Sequence, residues 1–283
     1  MLVKNTRYIF ICVLLILCFV VTGCSNVEGL KVKLGMKNND FEYIKQGKIE
    51  KMVIQNTRDK GFRFVVTDKK VITELYDILS AAKEVNEKSA LEPDYIFEMQ
   101  EGPNKIYKFN YIAGLDKKDA ANLYSDDKMY VVSKRIDRDI IKSLWNLRIP
   151  KEFNYIYYES ILKTLDEYEK KEGKQKKIGI NIYDDVQVAK FILSTDLEDF
   201  KAKLDPKGRN AVIADKDKEY DVKMSVKTYG YKSDTFKAII VFWNKAEMSE
   251  KKYYVSNQYL KGEWIMDVFT TDTKEGKEKL KEF

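Results

Sequence analysis

Four stretches near the end of the chain alternate apolar and polar residues, and short turn-forming segments separate them. Alternation with a period of two is typical of strands that bury only one face. The short connections favour antiparallel neighbours, so the pattern predicts a four-stranded meander. Its strands are expected at 220–229, 235–244, 252–259 and 263–269. A sheet of this kind needs a covering layer on its buried face, which points to an α+β architecture.

Helical periodicity supplies that layer in both halves of the chain. Residues 71–82 have apolar side chains three and four positions apart, and residues 154–171 show a similar stripe. The sequence therefore predicts an α+β fold of two units, each an antiparallel sheet with packed helices. We place the first unit at 48–148 and the second at 149–283.

The first 23 residues have the composition of an export signal. They contain no acidic residue, and Lys4 and Arg7 precede an apolar run of 14 residues, Tyr8–Val21. A helix of that length spans about 21 Å, which is short of a hydrocarbon core of about 30 Å. A basic start followed by a short apolar segment indicates a cleaved signal rather than a spanning helix.

The residues Val21-Thr22-Gly23-Cys24 resemble the lipobox of bacterial lipoproteins. The resemblance implies that Cys24 receives a diacylglyceryl group and becomes the first mature residue, with palmitate-like chains as the anchor. Residues 1–23 would then be the signal peptide and 24–47 a tether, although residues 41–45 could instead begin the fold. The open alternatives are an ordinary signal with a chance cysteine and an uncleaved anchor. The expected location is the outer face of the cytoplasmic membrane, in a low-GC Gram-positive cell.

Composition excludes several kinds of chemistry. The chain has no histidine, and once Cys12 and Cys18 leave with the signal, Cys24 is its one cysteine. Disulfides, His-bound zinc and His-dependent nucleophilic catalysis are therefore excluded. The mature chain keeps 49 basic and 45 acidic residues, which is too balanced to predict a nucleic-acid partner. No glycine-rich phosphate loop is present, so no cofactor is predicted.

Three acidic groups are candidates for binding a cation. The alternating acids Asp215, Asp217, Glu219 and Asp221 begin like an EF-hand loop, but Tyr220 stands where that loop has glycine. Lysines between these acids offset their charge, so a polar turn is the preferred interpretation. Turn formation and helix capping likewise explain the other two groups better than metal binding does. These groups are Ser125-Asp126-Asp127 and Asp184-Asp185.

The aromatic residues Tyr229, Tyr231, Trp243 and Trp264 lie on the predicted meander. Tyrosine and tryptophan among polar neighbours can form a recognition face for a glycan or a protein. Alternate aromatic residues on a sheet more often fill the core, so that interpretation is preferred. The recognition face is kept as a hypothesis.

Part of the first unit is similar to the small YhfM-like domain of bacillus-type lipoproteins. The features that carry this resemblance are the strand, Asp68 and helix of residues 62–82, the strand entry Pro93-Asp94-Tyr95, and the strand Tyr130–Lys134. They cover about 100 residues, and the resemblance implies no known activity.

These observations lead us to expect a non-enzymatic binding module of the cell envelope, anchored to the membrane and contacting an envelope protein or glycan. A carboxylate-based hydrolase of wall polymer is one alternative, since 45 acids could supply a facing pair. A solute-binding receptor of an importer is another, although the long meander is unlike its usual parallel sheets.

Overall fold

The computed structural model describes residues 36–115, 120–141, 148–204 and 209–283. The predicted signal peptide, Cys24 and the first part of the predicted tether lie outside these residues. The described chain forms two sheets with helices packed against them, as the sequence predicts. In the described residues no helix is both long and apolar enough to cross a membrane.

The first sheet has seven strands, all paired antiparallel, in the order β2-β1-β4-β5-β6-β7-β3. The turn residues Gly102-Pro103-Asn104 between two alternating segments predict a hairpin. It is present as β4 and β5, which pair from Tyr95–Tyr111 to Glu101–Lys105. The strands are β1 (Lys51–Asn56), β2 (Arg63–Val66), β3 (Lys83–Glu84), β4 (Tyr95–Glu101), β5 (Lys105–Tyr111), β6 (Leu123–Tyr124) and β7 (Met129–Val131).

The helices of the first unit begin earlier in the chain than the sequence indicates. Helix α1 (Glu42–Lys45) and Phe41 lie within the predicted tether, and Phe41 and Ile44 are buried in the core of the first unit. Asn38 is also part of the fold, and its side chain donates to the carbonyls of Leu79 and Ala82. Of the two starts considered, the one that includes 41–45 is observed. Helix α2 (Lys69–Ser80) follows Asp68, which accepts from the Lys70 amide as its N-cap at 2.8 Å.

The second sheet contains the predicted meander and two further strands. Its order is β13-β12-β11-β10-β8-β9. The meander strands pair antiparallel, but β8 pairs parallel with both β10 and β9, which the sequence did not reveal. The strands are β8 (Ile178–Asn181), β9 (Ala211–Ile213), β10 (Val222–Lys232), β11 (Thr235–Asn244), β12 (Ser249–Leu260) and β13 (Glu263–Phe269).

Helix α3 (Phe153–Glu172) covers the inner face of the second sheet, near the predicted helix at 154–171. Tyr168 stacks on Phe242 of β11 at 4.0 Å between ring centroids, and Asn257 of β12 donates to Ser160 at 2.7 Å. Helix α4 (Ser194–Leu204) packs beside α3, and helix α5 (Lys274–Lys281) follows the last strand. The long helix thus provides the layer that the half-buried meander needs.

The helix predicted after Asp184-Asp185 differs from the structure, and the apolar spacing of residues 140–147 predicts one further helix. The helix expected after Asp184-Asp185 is replaced by turns and a short 3₁₀ segment, Ala189–Phe191. The helix expected at 140–147 lies almost wholly outside the described residues, and a five-residue π-helical turn, Ile136–Ile140, comes just before it. The boundary between residues 148 and 149 stays a prediction.

Candidate functional site

A cleft of about 790 Å³ separates the two units and is lined by both. The loop 89–93 and Arg58 belong to the first unit. Tyr183 and the first two turns of α4 belong to the second. The lining mixes apolar side chains such as Leu91 and Leu197 with hydroxyl and charged groups. The volume lies within the range of pockets that bind small molecules, and the lining is more polar than is usual for them.

A buried ion pair, Arg58–Asp94, lies beside the cleft, and Arg58 is one of the lining residues. Asp94 is fully buried, and its Oδ1 accepts from Arg58 Nη1 at 2.6 Å and from the Ser194 amide at 2.8 Å. Its Oδ2 accepts from the Ala113 amide at 2.9 Å. Burial raises the pKa of Asp94, and the Arg58 charge and these donors oppose that rise. The carboxylate therefore acts as a clamp between a strand entry of the first unit and the start of α4.

Ser194 completes the clamp from the second unit. Its hydroxyl accepts from Arg58 Nη2 at 2.5 Å and donates to the Glu92 carbonyl at 2.7 Å. Arg58 also donates to the Ile192 carbonyl at 3.2 Å. Arg58, Asp94 and Ser194 therefore each have a partner in the other unit, which holds the start of α4 against the loop that forms the opposite wall.

A second buried pair lies behind α4. Arg148 pairs with Asp196, and both side chains are largely buried. Burial raises the pKa of Asp196, while Arg148 lowers it. Burying an ion pair costs desolvation, and removing one partner leaves an unpaired buried charge. The pair therefore fixes the orientation of α4 more than it raises the free energy of unfolding.

The cleft carries more acid than base at its rim. Glu92 lies on one wall, and Glu198 and Asp199 lie on the other. Lys201 is a basic residue on the same wall as Glu198 and pairs with it at 3.4 Å. The positive charge of Arg58 is already paired with Asp94. The charge balance would disfavour an anionic ligand at this rim.

The four aromatic residues proposed as a recognition face do not share one face of the sheet. Tyr229 and Trp243 point outward, and 58% of Tyr229 is exposed. Trp264 is buried, and Tyr231 packs on Phe191 of the core at 5.9 Å. Tyr229 and Tyr231 face opposite sides because the register shifts between Thr228 and Gly230, which makes Tyr229 an extra residue and reverses the alternation after it. Trp243 and Trp264 fall on opposite faces through the ordinary alternation of their own strands.

Asp184-Asp185 does not cap a helix. Asp185 is buried, and it accepts from the amide and hydroxyl of Thr228, the latter at 2.7 Å, and from the Tyr157 hydroxyl at 3.2 Å. Burial raises the pKa of Asp185, and these donors oppose that rise. The residue ties the turn after β8 to β10 and to α3.

The remaining acidic candidates are used in local contacts. Asp215 pairs with Lys218 at 3.3 Å, and Asp221 accepts from the Lys177 amide at 2.7 Å. Ser125 accepts from the Lys128 amide at 3.1 Å, closing the turn of the Ser125-Asp126-Asp127 segment. Within the described ranges, no three His, Cys, Asp or Glu side chains come together so that they could hold a metal ion.

Sequence reasoning missed the Arg58–Asp94–Ser194 clamp. Asp94 was noticed only as part of the strand entry Pro93-Asp94-Tyr95. Its partner Ser194 lies 100 residues further along the chain. Asp94 stands directly before a buried strand and next to Pro93, which has no backbone N–H to donate. This was the one local sign that the Asp94 carboxylate needs hydrogen-bond donors from distant segments.

Comparison with known proteins gives one match. Residues 45–150 match the model of the family described as YhfM protein. No curated protein and no solved structure matches the chain. The first α+β unit is therefore YhfM-like, which confirms the resemblance found in the sequence, and the second unit lies outside that match.

Proposed function

We propose that this protein is a lipid-anchored binding module of the cell envelope and that it holds its ligand in the cleft between its two units. The observation that carries the proposal is the cleft itself, because both units supply its walls and a buried clamp holds them together. A site built on packed elements is better suited to binding than one built on loops alone.

The anchor is supported by the sequence of residues 1–24. Two acyl chains on Cys24 would hold the protein on the membrane, since each buried methylene contributes about 0.8 kcal/mol and two chains give stable anchoring. Asn38 is part of the fold, and it lies 14 positions after Cys24 in the sequence.

The anchor is tested by mass spectrometry of the mature N-terminus and by the variant Cys24→Ala. We expect the wild-type chain to begin at an acylated Cys24 and to sediment with membranes. The variant should appear as unprocessed precursor or be released. Normal maturation of the variant would contradict the lipobox interpretation.

The cleft is tested with the variant Ala90→Trp, because Ala90 lines it and an indole would fill part of its volume. Wall-derived disaccharides and stem peptides are the probes, measured by calorimetric titration against the full chain. We expect at least one to bind saturably and the variant to weaken its binding at least tenfold. Ala81→Trp is the matched control, since Ala81 is exposed and does not line the cleft.

Absence of binding by every probe, or equal binding by both tryptophan variants, would contradict the proposed site. A second candidate, a carboxylate-based hydrolase, is favoured by Glu92 and Glu198 lying on opposite walls of the same cleft. It would require release of soluble fragments from wall polymer, and that release should be lost in Glu198→Gln. A solute receptor would use the same cleft without cleaving its ligand.

A further inference from the structure

The chain after the last strand folds back over the outer face of the second sheet. This segment, residues 273–283, is called the strap here. It contains helix α5, whose N-cap Thr273 accepts from the Gly276 amide at 3.0 Å. The face beneath it is the one that α3 does not cover, and it carries Tyr229.

The ring of Phe283 is held by three aromatic side chains of that face. Tyr229 of β10 stacks on it at 5.1 Å, with 28° between the ring planes. Tyr254 of β12 and Phe269 of β13 meet it edge to face at 5.3 and 6.1 Å. We call these three residues the aromatic pocket. Offset and edge-to-face geometries are the favourable ones for aromatic pairs.

Lys237 of β11 recognises the main chain beside that ring. Its Nζ donates to the carbonyl of Glu282 at 3.2 Å and to the carbonyl of Phe283 at 3.0 Å, and it lies 5.5 Å from the Phe283 ring centroid. The aromatic pocket thus binds an aromatic side chain, and Lys237 binds the main-chain oxygens next to it. Any peptide with an aromatic residue could present these groups.

The strap is a poor electrostatic match for the face that it covers. The strap has four lysines and three glutamates. The outer face presents Lys223, Lys227, Lys232, Lys237 and Lys252 against Glu250, Glu263 and Asp267. Lys279 of the strap pairs with Asp267 of β13 at 2.9 Å. Exposed pairs of this kind contribute little to stability.

We propose that the aromatic pocket is a docking site for an acidic segment of a partner protein that carries an aromatic side chain, and that the strap closes this site. Such a segment would place its ring where Phe283 lies and its carbonyls on Lys237. Its acids would meet the lysines of the outer face, to which the strap brings four lysines and only three glutamates. The site lies on the sheet and is independent of the cleft.

The strap can be opened in the full chain by one substitution. A Cβ at Gly276 would lie 1.8 Å from the Thr270 carbonyl oxygen, so Gly276→Val cannot keep α5 in place. A second variant, Phe283→Ala, removes only the ring that fills the pocket. The two variants open the same site by different routes, so failure of one to fold leaves the other as the test.

The probes are the peptides Ac-Asp-Glu-Phe-Glu-Asp-NH2 and Ac-Asp-Glu-Ala-Glu-Asp-NH2, titrated calorimetrically into each folded variant. We expect Phe283→Ala and Gly276→Val to bind the phenylalanine peptide at least ten times more tightly than the wild-type chain. Binding should weaken as salt rises, because part of it is charge attraction. The alanine peptide should bind none of them measurably.

Glu278→Ala is the matched control, since Glu278 is exposed on the strap and its loss leaves Phe283 in place. Adding Tyr229→Ala to Phe283→Ala should abolish the gain, because it removes the stacking partner. The proposal is overturned if Phe283→Ala folds but binds the phenylalanine peptide no better than wild type. It is equally overturned if the alanine peptide binds as well as the phenylalanine peptide.

Discussion

At the scale of single residues, buried carboxylates hold distant segments of this chain together. Asp94, Asp137 and Asp185 are each buried, and each accepts from donors on other elements; Asp137, for example, takes the Tyr111 hydroxyl at 2.8 Å and the Gly114 amide at 3.0 Å. Burial raises the pKa of all three, and their donors oppose that rise. Protein donors replace the water that a free carboxylate would have, which is why these acids tolerate burial.

The raised pKa of Asp185 has a predictable effect on stability. An aspartate in an unfolded chain has a pKa of about 3.9. Between that value and the higher pKa in the folded chain, the folded state keeps a proton that the unfolded state releases. The free energy of unfolding therefore falls as pH rises through this window. Asp185→Asn, which is neutral throughout, should gain stability relative to wild type from pH 4 towards pH 7.

Urea denaturation at several pH values measures this difference. Asp184→Asn serves as the control for an amide at the exposed neighbouring position. Parallel pH profiles for wild type and Asp185→Asn would show that the burial of Asp185 does not affect its protonation.

At the scale of elements, the second sheet depends on one close approach of a ring to a strand. Gly179 lies in the middle of β8, between β9 and β10, and the ring of Tyr220 lies directly over it. A glycine weakens a strand unless something uses the space that a side chain would take. Here Tyr220 uses it, and its hydroxyl accepts from the Asp215 amide at 2.9 Å. The ring thus closes the turn that carries Asp215, Asp217 and Glu219.

Gly179→Ala should therefore be destabilising although alanine suits a strand no worse than glycine. The added Cβ would lie 2.5 Å from the Tyr220 ring, so the ring must move. We expect a loss of about 1–3 kcal/mol, the usual cost of overpacking. Denaturant melts measure it, with Gly230→Ala as control because nothing lies within 4 Å of a Cβ there. Equal stability of the two variants would contradict the tight packing at Gly179.

At the scale of the whole molecule, two hydrophobic cores meet at a polar junction. The cores follow the two sheets closely, but Leu193, which comes after β8 in the chain, belongs to the first core. The Arg58–Asp94–Ser194 clamp lies beside it. Leu193, the Arg58–Asp94–Ser194 clamp and the buried Arg148–Asp196 pair therefore link units that otherwise have separate cores.

Leu193→Ala should loosen both units rather than one. Truncating a buried leucine typically costs about 2–5 kcal/mol, and here the cavity opens in the first core while the residue lies in the second unit. Hydrogen exchange should show faster exchange of amides in β4 and in α4. Val186→Ala is the control, since 76% of Val186 is exposed. Loss of protection confined to α4 would show that Leu193 does not couple the units.

Sequence periodicity alone determined the class of this fold. The meander strands at 222–269, helix α2 and helix α3 were all predicted, because side-chain alternation and helical stripes are local signals that one buried face imposes. The YhfM-like character of the first unit was also visible in local features. The same reasoning placed Tyr229 and Tyr231 together, which the register shift at Gly230 prevents.

Only the tertiary structure decided where the sites lie. Arg58, Asp94 and Ser194 come from three separate segments, and the aromatic pocket takes one residue from each of three strands and is closed by a fourth segment. No local pattern records which segments will meet, because a side chain's partners are set by packing of the whole chain. The composition limited the chemistry to groups other than histidine, and the packing brought particular groups together.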